Sequence, residues 1–266
     1  MTRSYLSLAR LERLATELAE RDRSILRILQ TVRLASSAQL QRLHFANEEA
    51  RNRRRVVASL VEKGFLERLP RSIGGVRSGS AGYLYTLGAA GLRLLEIEAG
   101  GAGVRARRPW VPGWAFIAHA LQVTEIYVEL VEARRTGRIE LFHFQGEPGC
   151  WRTFFKAGGV RTTLKPDARV CVVRGEYEHH YFVEVDRGTE WATAIRRKLD
   201  TYRAYWASGR EQSALGLFPW VLFVVPGSAR AETIRDLIGR QPKESHRLFR
   251  VALVDETVET MTGGLP

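Results

Sequence analysis

The sequence predicts an α+β protein with two domains, a basic helical N-terminal one and a C-terminal one built on a mixed sheet. Its 266 residues suffice for one or two domains, each with a real core. Apolar residues recur mainly at helical spacing in the first hundred residues, whereas alternating or continuous apolar runs follow from residue 139 onward. Residues 1–112 hold 20 basic and 10 acidic side chains, a net charge of +10, and the remainder holds 21 and 19, a net charge of +2. This asymmetry indicates a polyanion-binding module joined to a second function.

Composition argues against several other classes of protein. The longest nearly apolar run, Ala214–Val225, is too short for a membrane span, which needs ~20 residues, and residues 1–10 lack the pattern of a secretory signal. Two cysteines, Cys150 and Cys171, form no CxxC pair, so we expect reduced thiols in a cytoplasmic protein. A solubilising surface in an arginine-biased genome is the simpler explanation of 36 Arg against five Lys, but it does not explain the asymmetry.

Three helices are predicted in the N-terminal domain. The first spans Arg21–Val32, where apolar residues recur at helical spacing. The second begins at a capping box, with Ser36 at the cap and Gln39 three residues later. The third spans Asn47–Lys63. Asn47 is a good N-cap, and Gly64 is placed to end the helix.

The third helix carries a basic face. On a helical wheel Arg51, Asn52 and Arg55 lie opposite the apolar arc, and Arg53 and Arg54 flank that arc. Arginine is the common bidentate partner of guanine in the major groove, and asparagine of adenine. We therefore expect the first three to read bases and one of the flanking pair, Arg53 or Arg54, to hold phosphate. The alternative is a solvated face with ordinary ion pairs along the helix.

A predicted β-hairpin follows these helices. Phe65–Leu69 and Tyr83–Leu87 read as strands around a loop rich in Gly, Ser and Arg, and Gly88–Leu95 reads as a short helix. This order resembles the winged helix-turn-helix family over about residues 20–96. The resemblance implies that the third helix is the recognition helix and that Arg71 and Arg77 are wing residues contacting the DNA backbone or minor groove.

Domain boundaries follow from composition. We predict a DNA-binding domain over 1–98, a Gly/Arg/Pro linker over 99–113, a second domain over 114–255 and a tail over 256–266. The linker is either a plain tether or, through its arginines, a DNA-contacting arm. The elements predicted in the second domain are helix Trp114–Thr136, strands Ile139–Gln145, Leu164–Val173 and His180–Asp186, helix Thr189–Trp206, strand Trp220–Val225, helix Ala231–Ile238 and strand Phe249–Val254.

Carboxylates stand on two of these predicted strands. Asp167 follows Pro166, and Glu184 and Asp186 share a face because they are two residues apart. With the order αβββαβ, this resembles the PD-(D/E)XK nuclease superfamily. The resemblance implies that Asp167 and Glu184 hold Mg²⁺ or Mn²⁺ for phosphodiester cleavage. The superfamily's lysine is replaced by Asp186, which becomes a third metal ligand or the change that abolished cutting, and Lys198 on the next helix is the candidate substitute.

The carboxylates also have a purely structural interpretation, in which Asp167 and Glu184 pair with Arg161, Lys165 or Arg169 across the sheet. Whether the domain cuts DNA therefore stays open in the sequence.

The chain as a whole resembles the replication-relaxation family, encoded largely on plasmids and other mobile elements. The blocks LKPDARV, YFVEVDRGTE and KLDTYRAYW carry this resemblance, which spans about residues 20–225. It implies a DNA-binding protein acting in replication, transfer or their regulation. An active Mg²⁺-dependent endonuclease targeted by the winged helix and a protein-interaction adaptor are the alternatives. Expected partners are double-stranded DNA and either a second copy of the chain or other replication or transfer proteins, with no membrane.

Overall fold

A computed structural model describes residues 7–73, 82–101 and 113–263, with backbone alone at 70–73. The described chain divides into two compact units, 1–128 and 129–266. Together they mix helices and strands, which confirms the predicted α+β class. No helix in the described ranges has both the length and the apolar character that crossing a bilayer requires.

The first unit is mainly helical. Its helices are α1 (Leu8–Thr16), α2 (Glu20–Val32), α3 (Ser37–His44), α4 (Ala50–Glu62), α5 (Ala89–Glu98) and the first part of α6 (Trp114–Arg135). Its strands are β1 (Ala35–Ser36), β2 (Leu66–Ile73) and β3 (Gly82–Leu87), arranged antiparallel in the order β1-β3-β2. Three helices followed by a hairpin are therefore present in the predicted order.

Local capping sets the start of α3. The Ser36 hydroxyl accepts from the Gln39 backbone N–H at 3.2 Å, and the Gln39 side chain accepts from the Ser36 N–H at 3.0 Å. Each side chain satisfies a backbone donor that the helix leaves unpaired, so the predicted capping box is confirmed.

The third predicted helix starts later than expected. Glu48 N–H donates to the Phe45 carbonyl at 3.0 Å, which closes a turn through Asn47. Because Asn47 is used in that turn, α4 begins at Ala50 with Glu49 at its cap, and Asn47 does not cap it.

The core of the first unit lies between the helices and the hairpin, and it contains Val57 and Leu60 of α4. A second small cluster joins Leu34, Leu84 and Ile117, so the beginning of α6 packs within this unit. The compact units accordingly divide inside α6, after Val128, and not in the predicted linker 99–113, of which 102–112 lie outside the described residues.

The second unit is built on a sheet with the order β10-β9-β8-β7-β4. Its strands are β4 (Leu141–Gly146), β7 (Ala168–Arg174), β8 (Tyr177–Val185), β9 (Trp220–Val225) and β10 (Phe249–Leu253), and a separate hairpin pairs β5 (Arg152–Phe155) with β6 (Arg161–Leu164). Strands β8, β9 and β10 run parallel, whereas β4, β7 and β8 run antiparallel. Its further helices are α7 (Ala192–Ala207), α8 (Arg210–Leu215), α9 (Ser228–Gly239) and α10 (Thr257–Met261).

One expectation for this unit is wrong. The predicted strand Leu164–Val173 is interrupted at Pro166, since Leu164 ends β6 and β7 starts at Ala168. Within the predicted tail, Val258 and Met261 of α10 are buried.

Helices α7 and α9 pack on one face of the sheet. Ile195 and Leu199 of α7 lie in a core cluster with Phe182 of β8 and Phe223 of β9. Side chains alternate along a strand, so Glu184 projects from β8 to the same face as Phe182. This packing brings the carboxylate of Glu184 under α7.

Candidate nucleic-acid interface and carboxylate site

The outer face of α4 places the predicted base-reading residues together. Arg51, Asn52 and Arg55 line a shallow concavity with Glu48 and Glu49, which precede the helix. Arg51 and Arg55 are exposed and Asn52 is half-buried. The side chains that lie opposite the apolar arc of the helical wheel therefore share one surface.

The two flanking arginines differ from each other. Arg53 donates from Nη1 to the Ser37 carbonyl at 3.0 Å, which ties α4 to the start of α3. Arg54 is exposed. Of the pair predicted to hold phosphate, Arg54 is therefore the one on the open surface.

Asn52 is held by hydrogen bonds on both sides of its amide. Its nitrogen donates to Glu48 Oε2, and its oxygen accepts from Arg55 Nη2 at 2.9 Å. Glu48 also pairs with Arg21 of α2 at 2.6 Å. These contacts orient the amide, and they tie one of the two carboxylates at the N-terminal end of this face to Asn52 and Arg21.

The predicted wing residues are described only in part. The backbone of Arg71 lies in β2, and Arg77 lies outside the described residues. Their proposed contacts with DNA stay predictions.

In the second unit, the carboxylate of Glu184 sits at the centre of a buried polar cluster. Glu184 is 2% exposed. The Tyr202 hydroxyl donates to its Oε1 at 2.6 Å, and Lys198 Nζ lies 2.9 Å from its Oε2. Lys198 and Tyr202 are four residues apart on α7, so both reach the sheet from the same helix face.

Burial and neighbouring charges shift the pKa values of this cluster in opposite directions. Burial raises the pKa of Glu184 to about 7, while the ammonium of Lys198 opposes the rise. Burial alone would lower the pKa of Lys198, but the carboxylates of Glu184 and Glu190 outweigh it and raise that pKa above its usual value. Burial and the neighbouring Glu184 also raise the pKa of Tyr202. Perturbed groups with a specific charge partner are typical of functional sites.

Asp167 lies opposite Glu184. The register pairs Ala168 with Val183, so the residue before Ala168 faces the residue after Val183 across the two strands. Asp167 Oδ2 accepts from the Val185 N–H at 2.7 Å, and its charge contributes to the raised pKa of Glu184. The two carboxylates that the sequence predicted as metal ligands are thus neighbours at this end of the sheet.

Asp186 has a different environment. It is 2% exposed, and its Oδ2 accepts from Arg230 at 3.0 Å from Nε and 2.6 Å from Nη2, while Oδ1 accepts from the Gly188 N–H at 2.6 Å. Within the described residues, Asp167, Glu184 and Asp186 do not bring one oxygen each within 4.8 Å of one another. The pair Asp167 and Glu184 matches the predicted metal site better than the trio does.

Comparison with known proteins gives the family. The model of the family described as replication-relaxation matches residues 26–221. The chain belongs to the replication-relaxation family. Searches of the curated proteins and of the solved structures return no match.

The replication-relaxation match covers both candidate sites, from α2 to the start of β9. It therefore includes the basic face of α4 as well as Asp167, Glu184 and Lys198. Arg230, which holds Asp186, lies beyond the match.

Sequence reasoning missed the roles of Tyr202 and Arg230. Tyr202 falls at helical spacing with Ile195 and Leu199, which favours an apolar role, and its spacing of four residues from Lys198 is the signal in the sequence for a contact with Glu184. Arg230 is 44 residues from Asp186, and no local pattern connects the two.

Proposed function

We propose that this chain binds double-stranded DNA of a plasmid or mobile element through a winged helix-turn-helix in its first unit. Membership of the replication-relaxation family supports a role in replication, transfer or their regulation. Replication-associated proteins, including a second copy of the chain, are the further partners that this role implies.

The basic face of α4 carries the proposal. Val57 and Leu60 bury one side of the helix, which leaves Arg51 and Arg55 exposed on the other beside Asn52. An α-helix fits the major groove, where arginine and asparagine pair with base edges. The hairpin β2–β3 follows α4 directly, in the position a wing occupies.

A DNA-binding assay with matched arginine variants of the full chain tests this function. A random duplex measures general affinity, and a site selected from random sequences measures specificity. Arg55→Ala is expected to cost ~1–3 kcal/mol on the selected site and to relax its sequence preference, whereas Arg54→Ala weakens binding to all duplexes alike. Arg10→Ala is the control, because Arg10 is an exposed arginine of α1 outside this face.

Equal loss of specific and random binding in Arg55→Ala would contradict base reading by Arg55. Affinity that does not fall with salt would contradict DNA binding through the basic face, since neutralised phosphates release counterions. Absence of binding at low salt would favour the protein-interaction adaptor instead.

The second candidate function is a metal-dependent endonuclease, and the arrangement around Glu184 favours it. Asp167 and Glu184 are adjacent carboxylates, and Lys198 supplies a cation 2.9 Å from Glu184 although the usual lysine position holds Asp186. Mg²⁺ is commonly held by one or two carboxylates together with substrate phosphate, so this pair fits the ion. Bound Mg²⁺ or Mn²⁺ would activate water and stabilise charge on the phosphate.

Supercoiled plasmid with Mg²⁺ or Mn²⁺ is the substrate that tests cleavage. Wild-type chain should nick or linearise it, and Glu184→Gln, which keeps an acceptor for Tyr202, should abolish cutting. Asp200→Asn, at an exposed carboxylate of α7, should cut normally. Cleavage that persists in Glu184→Gln would assign the activity to another site or a contaminant.

A further inference from the structure

A second group of potential metal ligands lies on β7 and β8, apart from the carboxylate cluster. Cys171, Glu178 and His180 each offer one ligand atom, and these atoms all lie within 4.8 Å of one another. Cys171 Sγ is 3.8 Å from His180 Nε2, which is 3.2 Å from Glu178 Oε2.

These separations correspond to the edges of a tetrahedral zinc site. Zinc binds sulfur at ~2.3 Å, imidazole nitrogen at ~2.0–2.1 Å and carboxylate oxygen at ~2.0–2.2 Å. Tetrahedral angles then put sulfur and nitrogen ~3.6 Å apart and nitrogen and oxygen ~3.3 Å apart, from the same bond lengths. The observed distances of 3.8 and 3.2 Å need only small side-chain adjustments to meet this geometry.

The backbone register holds the ligands in place. Cys171 pairs with His180 across β7 and β8, and His143 of β4 pairs with Cys171 on the other side. Directly paired residues project to the same face of a sheet, so these three residues form one row across three strands. His143 is exposed, and its ring lies outside the group of ligand atoms within 4.8 Å of one another, so its side chain has to turn toward Cys171 to supply a fourth ligand.

The chemistry of the donors selects the ion. A thiolate and an imidazole suit zinc and related transition metals, whereas Mg²⁺ prefers oxygen ligands alone. The His180 side chain is 11% exposed and that of Glu178 is 64% exposed, so an ion can enter from the Glu178 side.

We propose that Cys171, Glu178 and His180 form a Zn²⁺ site on the sheet face of the β7–β8 hairpin, with His143 as the fourth ligand. Ligands on both strands would clamp this hairpin, and β8 is also the strand that carries Glu184. The site is separate from the Asp167 and Glu184 pair and needs neither DNA binding nor cleavage.

Cobalt titration of the reduced full chain tests the site. Co²⁺ replaces Zn²⁺ in such sites and gives a thiolate-to-cobalt charge-transfer band, which a site made only of carboxylates lacks. We expect one Co²⁺ per chain with this band, and its disappearance on addition of Zn²⁺. Cys171→Ser should abolish the band, and Cys150→Ser, the matched change at the other thiol, should retain it.

Two surface variants keep the test valid if Cys171→Ser fails to fold. Glu178→Gln and His143→Ala change exposed side chains. Each should weaken Co²⁺ binding by at least the roughly 10- to 100-fold that outer-shell partners contribute. Absence of the band in wild-type chain, its persistence in Cys171→Ser, or unchanged affinity in both surface variants would overturn the proposal.

Discussion

Replacing Lys198 with methionine should destabilise the second unit strongly, because it leaves the carboxylate of Glu184 buried without its cation. Removing one partner of a buried ion pair costs ~3–5 kcal/mol. Glu184 is 2% exposed, but the side chain of Lys198 is 31% exposed, so water screens part of the pair. We therefore expect a loss near the lower end, about 3 kcal/mol in the free energy of unfolding.

The second variant Glu184→Gln separates the charge effect from lost packing. Glutamine still accepts from the Tyr202 hydroxyl, and Lys198 keeps its pair with Glu190 at 2.8 Å. The double variant Lys198→Met/Glu184→Gln should recover most of the stability that Lys198→Met loses. Urea unfolding followed by tryptophan fluorescence measures this cycle, since four of the six tryptophans lie beyond residue 128. A cost of Lys198→Met that is the same in the wild-type chain and in the Glu184→Gln variant would refute the reasoning.

The same pair predicts a pH dependence with a definite sign. The pKa of Glu184 rises from 4.5 to about 7 on folding, so the native state binds a proton that the unfolded state releases. This contribution to stability is fully present below pH 4.5 and is lost as the pH rises to about 7, with a slope of at most ~1.4 kcal/mol per pH unit. Glu184→Gln should remove this slope. The raised pKa of Lys198 contributes stability that is lost only as the pH rises above 10.5, outside this window.

Two further substitutions test packing elsewhere. Gly91→Ala should destabilise the first unit by ~1–3 kcal/mol, because the added Cβ would lie 2.3 Å from the Phe65 carbonyl oxygen. Gly82→Ala, which meets no atom within 4 Å, is the control, and equal melting temperatures of the two variants would contradict the argument. Arg230→Met should cost ~3–5 kcal/mol by leaving Asp186 buried and unpaired, and adding Asp186→Asn should restore much of it in urea unfolding.

Features that depend on neighbouring residues were predictable from the sequence. The capping box at Ser36 and Gln39 involves four consecutive residues, and the structure contains both of its hydrogen bonds. The continuous apolar run Trp220–Val225 is a strand with those bounds. In both cases the local pattern and the tertiary environment favour the same conformation.

Features that depend on distant partners were not predictable in this way. The hairpin β5–β6 lacks a clear alternation, and its pairing is visible only in three dimensions. The alternation through Leu164–Val173 concealed the break at Pro166, which has no N–H to donate to a sheet ladder. Likewise, the helical wheel puts Arg53 beside the apolar arc, but it gives no indication that the Arg53 side chain donates to the Ser37 carbonyl.

The charges around Glu184 explain how the cluster can hold a proton or a cation. The Lys198 ammonium lies 2.9 Å from the Glu184 carboxylate and 2.8 Å from that of Glu190, while Asp186 pairs with Arg230. Burial and the charge of Asp167 both favour the protonated form of Glu184, and they outweigh Lys198 and raise the pKa of Glu184 to about 7.

A divalent cation between Asp167 and Glu184 would bind the ionised form of Glu184, so metal and proton should compete for this carboxylate. We therefore expect Mn²⁺ to stabilise the wild-type chain more at pH 8 than at pH 5 and to flatten the stability slope between pH 4.5 and about 7. Lys198→Met, which removes the cation now paired with Glu184, should bind Mn²⁺ more tightly than wild type while losing any cleavage that depends on the lysine. Asp200→Asn should bind Mn²⁺ as wild type does. Calorimetry that finds equal Mn²⁺ affinity in wild type and Glu184→Gln would contradict metal binding at Glu184 and leave the proton and Lys198 as the groups that neutralise this carboxylate.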